Sequence, residues 1–301
     1  MNNSSSSSNN QSTRSDSATS NSTVSSSTVA VGKLYIVATP IGHLSDLSKR
    51  AEDTLKSVEI IAAEDTRRSR ILLDHIGAQD KKLRSLHSHN ESHMSTSLLH
   101  LLQQGSDIAV ISDAGTPMIN DPGFELVRLA HAHQVDVIPI PGCSAPIAAL
   151  SVCPLPCHPF RFVGFAPSKS SIRKQFLQQH LQHSDGLIFF ETPHRIKRCL
   201  ADLGELTQRR IMLARELTKQ YETLYVGHAH EVSEALGEHP KGELVVIVES
   251  VDEVKQDINA QQLLSELLQE LSPAAAARLA ANILGAKRKD MYNLAQQIKQ
   301  N

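Results

Sequence analysis

The chain has no tryptophan and only four cysteines (Cys143, Cys153, Cys157 and Cys199) among 301 residues. Four are too few for a disulfide framework at this length and fit a reducing cytoplasm. Without tryptophan, the usual anchor of a large aromatic interface is missing. No run approaches the roughly 18 apolar residues of a membrane span, so no membrane partner is expected. The formal charge of −2 gives no global electrostatic case for a nucleic-acid partner, and any basic surface must be local. The chain also lacks a Gly-x-Gly-x-x-Gly fingerprint and a Gly-Lys-Ser/Thr phosphate loop. By motif it is neither a dinucleotide fold nor a P-loop protein.

Residues 1–28 are nearly all Ser, Asn, Thr and Gln, with Arg14 and Asp16 the only charges. Such a segment cannot bury enough apolar surface to offset its ordering entropy, and it has no apolar core of a secretory signal. Residues 1–30 are therefore expected to be a disordered tail outside the fold.

Beyond the tail, short apolar runs alternate with Gly/Pro/Asp-rich turns. Leu34–Ala38 runs into Thr39-Pro-Ile-Gly42, and Val58–Ala63 into Glu64-Asp-Thr-Arg67. Ile108–Ile111 runs into Ser112-Asp-Ala-Gly-Thr-Pro117, and Val135–Ile140 into Pro141-Gly-Cys-Ser-Ala145. Helix-like sequence succeeds each turn: a face of Leu47, Ala51, Leu55 and Val58 capped by Ser45-Asp46, and Gly123–His133 opened by Asp121-Pro122 with Phe124, Val127 and Leu129 inward. Ala145–Val152 reads as a short buried helix. Strand, turn and helix in repetition predict a parallel sheet whose carboxyl-end loops share one ligand-binding edge. Three prolines between Cys153 and Pro159 mark a boundary, giving an N-terminal α/β domain at 31–155. A second α/β domain at 156–250 carries strands Phe160–Phe165, Leu187–Glu191, Ile211–Arg215, Thr223–Val226 and Leu244–Glu249, with helices at Ile172–His183 and His194–Leu206. After an acidic linker at 249–257, a helical extension at 258–301 surrounds the basic turn Lys287-Arg-Lys289.

The turns carry the chemistry. Asp113 could accept hydrogen bonds from ribose hydroxyls or an ammonium, while Ala114 and Gly115 leave room for a flat ligand. The plain alternative is an Asx-turn. Gly42 allows close approach to the main chain, although Thr39-Pro40-Ile41-Gly42 could equally be a tight structural turn. Asp65 can cap a helix while Arg67 at the rim suits a phosphate, with Arg68 and Arg70 on the solvated face. The run His87-Ser-His-Asn-Glu-Ser-His93 matches no zinc spacing, so no metal is expected. It reads as a polar loop over the cleft, offering imidazole and amide donors to substrate.

Together, Ile36-Val-Ala-Thr-Pro-Ile-Gly42, Ala62-Ala-Glu-Asp-Thr-Arg67, the run from Ser112 to Gly123, Phe190-Glu-Thr-Pro-His-Arg195, Leu213-Ala-Arg-Glu-Leu-Thr-Lys219 and Gly242-Glu243 resemble the tetrapyrrole methylase superfamily. Within it the chain resembles the branch that methylates ribose on small-subunit ribosomal RNA. The resemblance implies S-adenosylmethionine in a cleft between two α/β domains, the second with a mixed sheet, and usually a homodimer. It implies the 2′-hydroxyl of a decoding-centre cytidine in 16S rRNA, or in the small ribosomal subunit, as acceptor. Cofactor contacts are expected from Thr39, Pro40, Ile41, Gly42, Asp113, Ala114, Gly115, Thr116, Pro141, Ser144 and Ala145. Glu64, Asp65, Glu191 and His194 are the candidate bases or orienters, and Arg67 the candidate ribose-phosphate ligand. The fourth loop departs from the family's usual Pro-Gly-Pro: here Cys143 stands at the third place, and His43 replaces a usual Asn. Two rivals remain. A tetrapyrrole methylase of the same superfamily needs neither Arg67 nor basic C-terminal helices. A non-catalytic ribosome-assembly protein would bind RNA without binding S-adenosylmethionine.

Overall fold

A computed structural model describes residues 30–252 and 260–300. The expected tail, most of the acidic linker and the first residues of the expected helix at 258 lie outside the described residues.

The first layer contains β1 (Leu34–Val37), α1 (Lys49–Ser57), β2 (Ile60–Ala63), α2 (Thr66–His75), β3 (Lys82–Ser85), α3 (Glu91–Gln103), β4 (Ile108–Ile111), α4 (Phe124–Ala132), β5 (Val137–Ile140) and α5 (Ala145–Ser151). Its five strands are all parallel, in the order β3-β2-β4-β1-β5. Every residue of β2 and β4 is buried. A central strand of a parallel sheet is covered on both faces and so reads as a continuous apolar run. One face packs on α1 and α2 through Leu55, Leu72 and Leu73, the other on α3 and α4 through Leu98, Leu102 and Leu126. Strand β3 has no apolar run to announce it: Lys-Leu-Arg-Ser alternates exposed and half-buried at the sheet edge, where charge is tolerated. Pro139 in β5 sits on the other edge, where a missing donor costs little.

The second layer holds β6 (Phe160–Phe165), α6 (Ser170–Leu181), β7 (Gly186–Glu191), α7 (Ile196–Leu206), β8 (Ile211–Arg215), β9 (Thr223–Gly227), α8 (Ala229–Ala235) and β10 (Leu244–Val248). The order is β6-β7-β10-β8-β9, with β6 and β7 parallel and the other pairs antiparallel. The expected two α/β domains are therefore present, one parallel and one mixed. Helix α8, absent from the helices expected of the sequence, covers this sheet together with α6 and α7. The sheet's other face meets α5 and Ile41 of the first layer in a shared apolar seam with Met212, Ala214, Leu217, Val245 and Ile247. Three helices, α9 (Ala260–Glu270), α10 (Pro273–Leu284) and α11 (Arg288–Gln300), close the chain around a core of their own: Leu264, Ala276, Ala280, Met291 and Ala295.

Several local expectations are corrected. The cap of α1 is Ser48, whose hydroxyl accepts from the Ala51 amide, and Ser45-Asp46 lie in a preceding 3-10 turn. Asp121 does not cap α4. That helix begins after Gly123, and Phe124, expected inward, is 70% exposed. Its first amides are satisfied from elsewhere: Glu91 Oε1 accepts from the amides of Gly123 (2.8 Å) and Glu125 (3.1 Å). The histidine-rich loop is thus tied to the segment just past the Asp113 loop. Glu91→Ala should strip two half-buried amides of their acceptor and lower stability by about 1–3 kcal/mol, while Glu91→Gln keeps an acceptor and most of the stability. Urea denaturation of the two variants tests this, and equal losses would show that the hydrogen bonds do not matter.

Candidate active site

A cleft of about 350 Å³ opens between the carboxyl edge of the parallel sheet and the second sheet, within the usual size range of small-molecule sites. Its two walls differ in kind. The first layer contributes Ile41, Glu64, Arg68, the run Asp113–Thr116, the run Ile119–Asp121 and the start of α5 from Ser144 to Pro146. The second contributes Phe165, Phe190, Ala214, Leu217, Leu244 and Val245, with Glu191 and Glu243 among them.

The first wall is built by loops that hold one another. Thr39 and Gly115 form an antiparallel bridge, each amide donating to the other's carbonyl at 2.8 and 3.1 Å. The Thr39 hydroxyl donates to the Ser112 carbonyl, and the Thr116 hydroxyl to the Cys143 carbonyl at 2.9 Å. Gly115 has φ +83°, which an L side chain rarely adopts. Cys143 Sγ lies 3.5 Å from the Asp46 carbonyl, a contact that a proline at this place would not make.

Three carboxylates share this wall. Burial pushes Glu64 above the usual carboxylate range, and the neighbouring Asp113 charge adds to the rise. Burial, reinforced by Glu64 and Asp113, drives Asp121 up to about 6. Asp113 is held in place by the Asp65 amide (3.1 Å) and by Arg68 Nη1 (3.1 Å). Asp65 behaves oppositely. The Arg67 side chain forks onto it at 3.0 and 2.7 Å, holding its carboxyl down at about 2.

The candidates therefore separate. Ile41, Glu64, Asp113, Ala114, Gly115, Thr116, Ser144, Ala145 and Glu191 line the cleft. Thr39, Pro40 and Gly42 line an adjoining groove that shares Ile41, Arg68, Asp113 and Ala114 with the cleft, whereas Asp65, Arg67, Pro141 and His194 line neither. Thr39 is spent on loop-to-loop hydrogen bonds, and Asp65 caps α2. Arg67 is 87% exposed at the outer rim and His194 is exposed. Gly42 faces protein rather than a ligand: a Cβ there would stand 2.5 Å from the Thr218 hydroxyl and 2.9 Å from the Leu217 carbonyl. Glu191 is buried and half engaged: its Oε1 accepts from the Thr192 amide (2.7 Å) and Arg195 Nε (2.7 Å), Arg195 Nη2 also donates to the Ala166 carbonyl, and Oε2 is buried without a hydrogen-bond partner among the described residues. Lys219 is likewise engaged, bridging Glu216 and Glu243. The expected polar loop at 87–93 is a loop only as far as Asn90, since Glu91–His93 open α3; the run lines a separate groove with Thr96, Ser97 and His100 and does not reach the cleft. Sequence reasoning misses Arg68, Ile119, Asn120, Asp121, Phe165 and Phe190 as lining residues. Asn120 and Asp121 lie inside the Ser112–Gly123 motif, but Asp121 before Pro122 has the pattern of a helix cap.

In the C-terminal unit, Gly285 in left-handed conformation ends α10, and α11 opens with exposed Arg288 and Lys289 just past exposed Lys287. Two helices joined by a short glycine-containing turn form a helix-turn-helix arrangement.

Residues 33–233 match the sequence model of the Tetrapyrrole (Corrin/Porphyrin) Methylases, two thirds of the chain. The chain belongs to this methylase family. Residues 254–299 match a second model, described as the RsmI C-terminal HTH domain. A protein called Ribosomal RNA small subunit methyltransferase I from Xylella fastidiosa (strain Temecula1 / ATCC 700964) is 46% identical over 269 residues, spanning 87% of this chain and 98% of the relative. One of the same name from Escherichia coli O157:H7 is 44% identical over 276 residues, spanning 88% and 94%. Two solved methylase structures share the fold. The methyltransferase CobJ has TM-score 0.57 and 19% identity, covering 73% of this chain and 94% of its own. The uroporphyrin-III C-methyl transferase from Thermus thermophilus complexed with S-adenyl homocysteine has TM-score 0.52 and 17% identity, covering 72% and 97%.

The raised Asp121 has a consequence for stability. Its folded pKa of about 6 exceeds the ordinary 3.8, so the folded methylase binds more protons than the unfolded chain between those values. Stability from this group is full below about pH 4 and is lost as pH rises through about 6. Discounted for partial solvent access, the loss is about 1–2 kcal/mol. Asp121→Asn should recover most of it at pH 7.5 and make no difference at pH 4, as thermal denaturation at the two pH values would read. An unchanged melting point at pH 7.5 would contradict the buried-carboxylate account.

Proposed function

We propose that this methylase transfers a methyl group from S-adenosylmethionine to 16S ribosomal RNA, at the 2′-hydroxyl of a decoding-centre cytidine. The single observation that carries the reading is the pairing, in one chain, of a methylase cleft with a basic helix-turn-helix unit. A macrocycle substrate has no use for the latter. The relatives named for small-subunit rRNA methylation match nearly the whole chain, which supports the same acceptor.

The cleft suits this cofactor. Its acidic wall of Glu64, Asp113 and Asp121, with Arg68 the cation that lines the cleft, favours a ligand carrying positive charge. Ala214, Leu217 and Val245 beside the open Ala114-Gly115 turn admit a flat ring. When bound, S-adenosylmethionine supplies an electrophilic methyl group on a sulfonium. Asp113, fixed by the Asp65 amide and Arg68, would orient the ligand, while Ile41, Ala145 and Leu217 would exclude water beside it. Asp121 is our choice of proton acceptor. A base works best with a pKa near the working pH, and its carboxyl stands closer to that than one at the ordinary 3.8. Glu64, raised in the same direction, would keep the wall's charge graded with pH. The resemblance also supports a cytoplasmic homodimer. Among the described residues no helix is long and apolar enough to cross a membrane.

Isothermal titration should give one S-adenosylmethionine site per chain, and labelled methyl should move onto small subunits lacking the modification. A substrate with 2′-deoxycytidine at the target should take up none, since DNA-like ribose offers no acceptor. Deleting residues 260–301 should weaken subunit binding and flatten its salt dependence while leaving cofactor affinity intact. Turnover should fall below about pH 6 as Asp121 gains its proton, a limb that Asp121→Asn removes along with most of the rate. Binding of RNA without binding of S-adenosylmethionine would favour a non-catalytic assembly protein. Methyl transfer to a tetrapyrrole but not to RNA would favour the other branch.

A further inference from the structure

We propose that Phe165 is the platform on which the base of the methylated nucleoside stacks, with Ile119 of the opposite wall closing the slot. This deepens the RNA-methylation reading and rests on it.

Phe165 ends β6 at the cleft and is 52% exposed, one of seven phenylalanines in a chain without tryptophan. An exposed ring on a soluble surface gains nothing from water, yet this one is held from behind. Its centroid lies 5.3 Å from that of Phe190, and Phe190 meets Phe162 edge to face at 5.0 Å. Phe162 and Phe190 in turn pack on the apolar seam between the layers. The relay fixes one side of the Phe165 ring and leaves the remainder open to the cleft. Rigid aromatic surface of this kind is what single-stranded RNA recognition uses, because an unstacked base finds there the π-face it has lost.

The opposite wall offers a counterpart. Ile119 also lines the cleft, is 42% exposed, and stands between Met118 and Asn120, whose φ values are +68° and +73°. Asparagine tolerates the left-handed region, but Met118 there stores strain, and such strain gathers where a loop serves a ligand. Asp121 is the next residue in the chain. A base held between Phe165 and Ile119 therefore delivers its own ribose to the cleft that carries the carboxylates. Stacking discriminates poorly among bases, so this slot would set the position of the nucleoside, and the identity of the cytidine must be read elsewhere on the RNA.

The test is methyl transfer from labelled S-adenosylmethionine to small subunits lacking the modification, with wild type, Phe165→Leu and Phe165→Tyr side by side. Phe165→Leu should lose about 10- to 100-fold in kcat/KM and Phe165→Tyr should stay within about threefold, since the tyrosine restores the ring. Cofactor affinity by titration should be unchanged in both, and thermal denaturation should show both folded. A Phe165→Leu enzyme as efficient as wild type would overturn the proposal. So would a tyrosine variant as poor as the leucine one, or cofactor affinity falling in step with activity. Inactivity of the wild type on these subunits would overturn the methylation reading and this inference with it. An active wild type with an indifferent leucine variant would overturn the stacking alone.

Discussion

The apolar seam between the two layers is the constraint on which the site depends. Ile41 at the first turn and α5 at the end of the first layer bury themselves against Met212, Ala214, Val245 and Ile247 of the second sheet. Burial of this kind is non-directional and works through area, so it presses the layers together without specifying chemistry. Chemistry enters at the rims of the seam. There the Thr218 hydroxyl accepts from the His43 amide, and Gly42 lets Leu217 and Thr218 approach closely enough to fix the turn. The cleft is what remains where the seam stops.

A cost is built into that cleft. Gathering Glu64, Asp113 and Asp121 on one half-buried wall raises two of them above the ordinary carboxylate range, chiefly because burial disfavours the charged form and secondarily because the carboxylates repel one another. A cationic ligand relieves the repulsion. Part of its binding free energy is thus stored in the fold beforehand. Asp65 shows how local the effect is. One residue along from Glu64, paired with Arg67 and facing solvent, it sits at about 2.

Much of this is legible from residues. Buried parallel strands announce themselves as apolar runs, and β2 and β4 are Ile-Ile-Ala-Ala and Ile-Ala-Val-Ile. The loops at their ends reach the cleft, which nine of the candidate residues line. What escapes the sequence depends on contacts between distant segments. Edge strand β3 hides because its side chains are half solvated. Thr39, Gly42 and Asp65 have the residue types of ligand-binding turns, but Thr39 is bridged to Gly115, Gly42 is packed against Leu217 and Thr218, and Asp65 is paired with Arg67. Asp121-Pro122 looks like a helix start, and only the fold reveals that Glu91, far earlier in sequence, supplies the acceptor instead. The entire aromatic wall is hidden because Phe165 and Phe190 belong to strands of the other layer, and strand patterning says which residues alternate without saying what they face.

The contrast between the walls bears on how a weak nucleophile and a charged donor can share one pocket. Positive charge is best stabilised where carboxylates cluster. A nucleobase is best held where polarisable rings are exposed and water is scarce. If both demands fell on one wall, the carboxylates would hydrate the aromatic surface and the rings would desolvate the carboxylates until they took up protons. Here each demand has its own domain. The parallel sheet's loops carry Glu64, Asp113 and Asp121, and the mixed sheet's β6 and β7 carry the rings, its own Glu191 and Glu243 being paired with Arg195 and Lys219. The seam brings the two surfaces face to face. The C-terminal helices pack around a core of their own. Under the proposed function, substrate capture by the C-terminal helices and positioning in the cleft could then change independently, which a single-domain site would not allow.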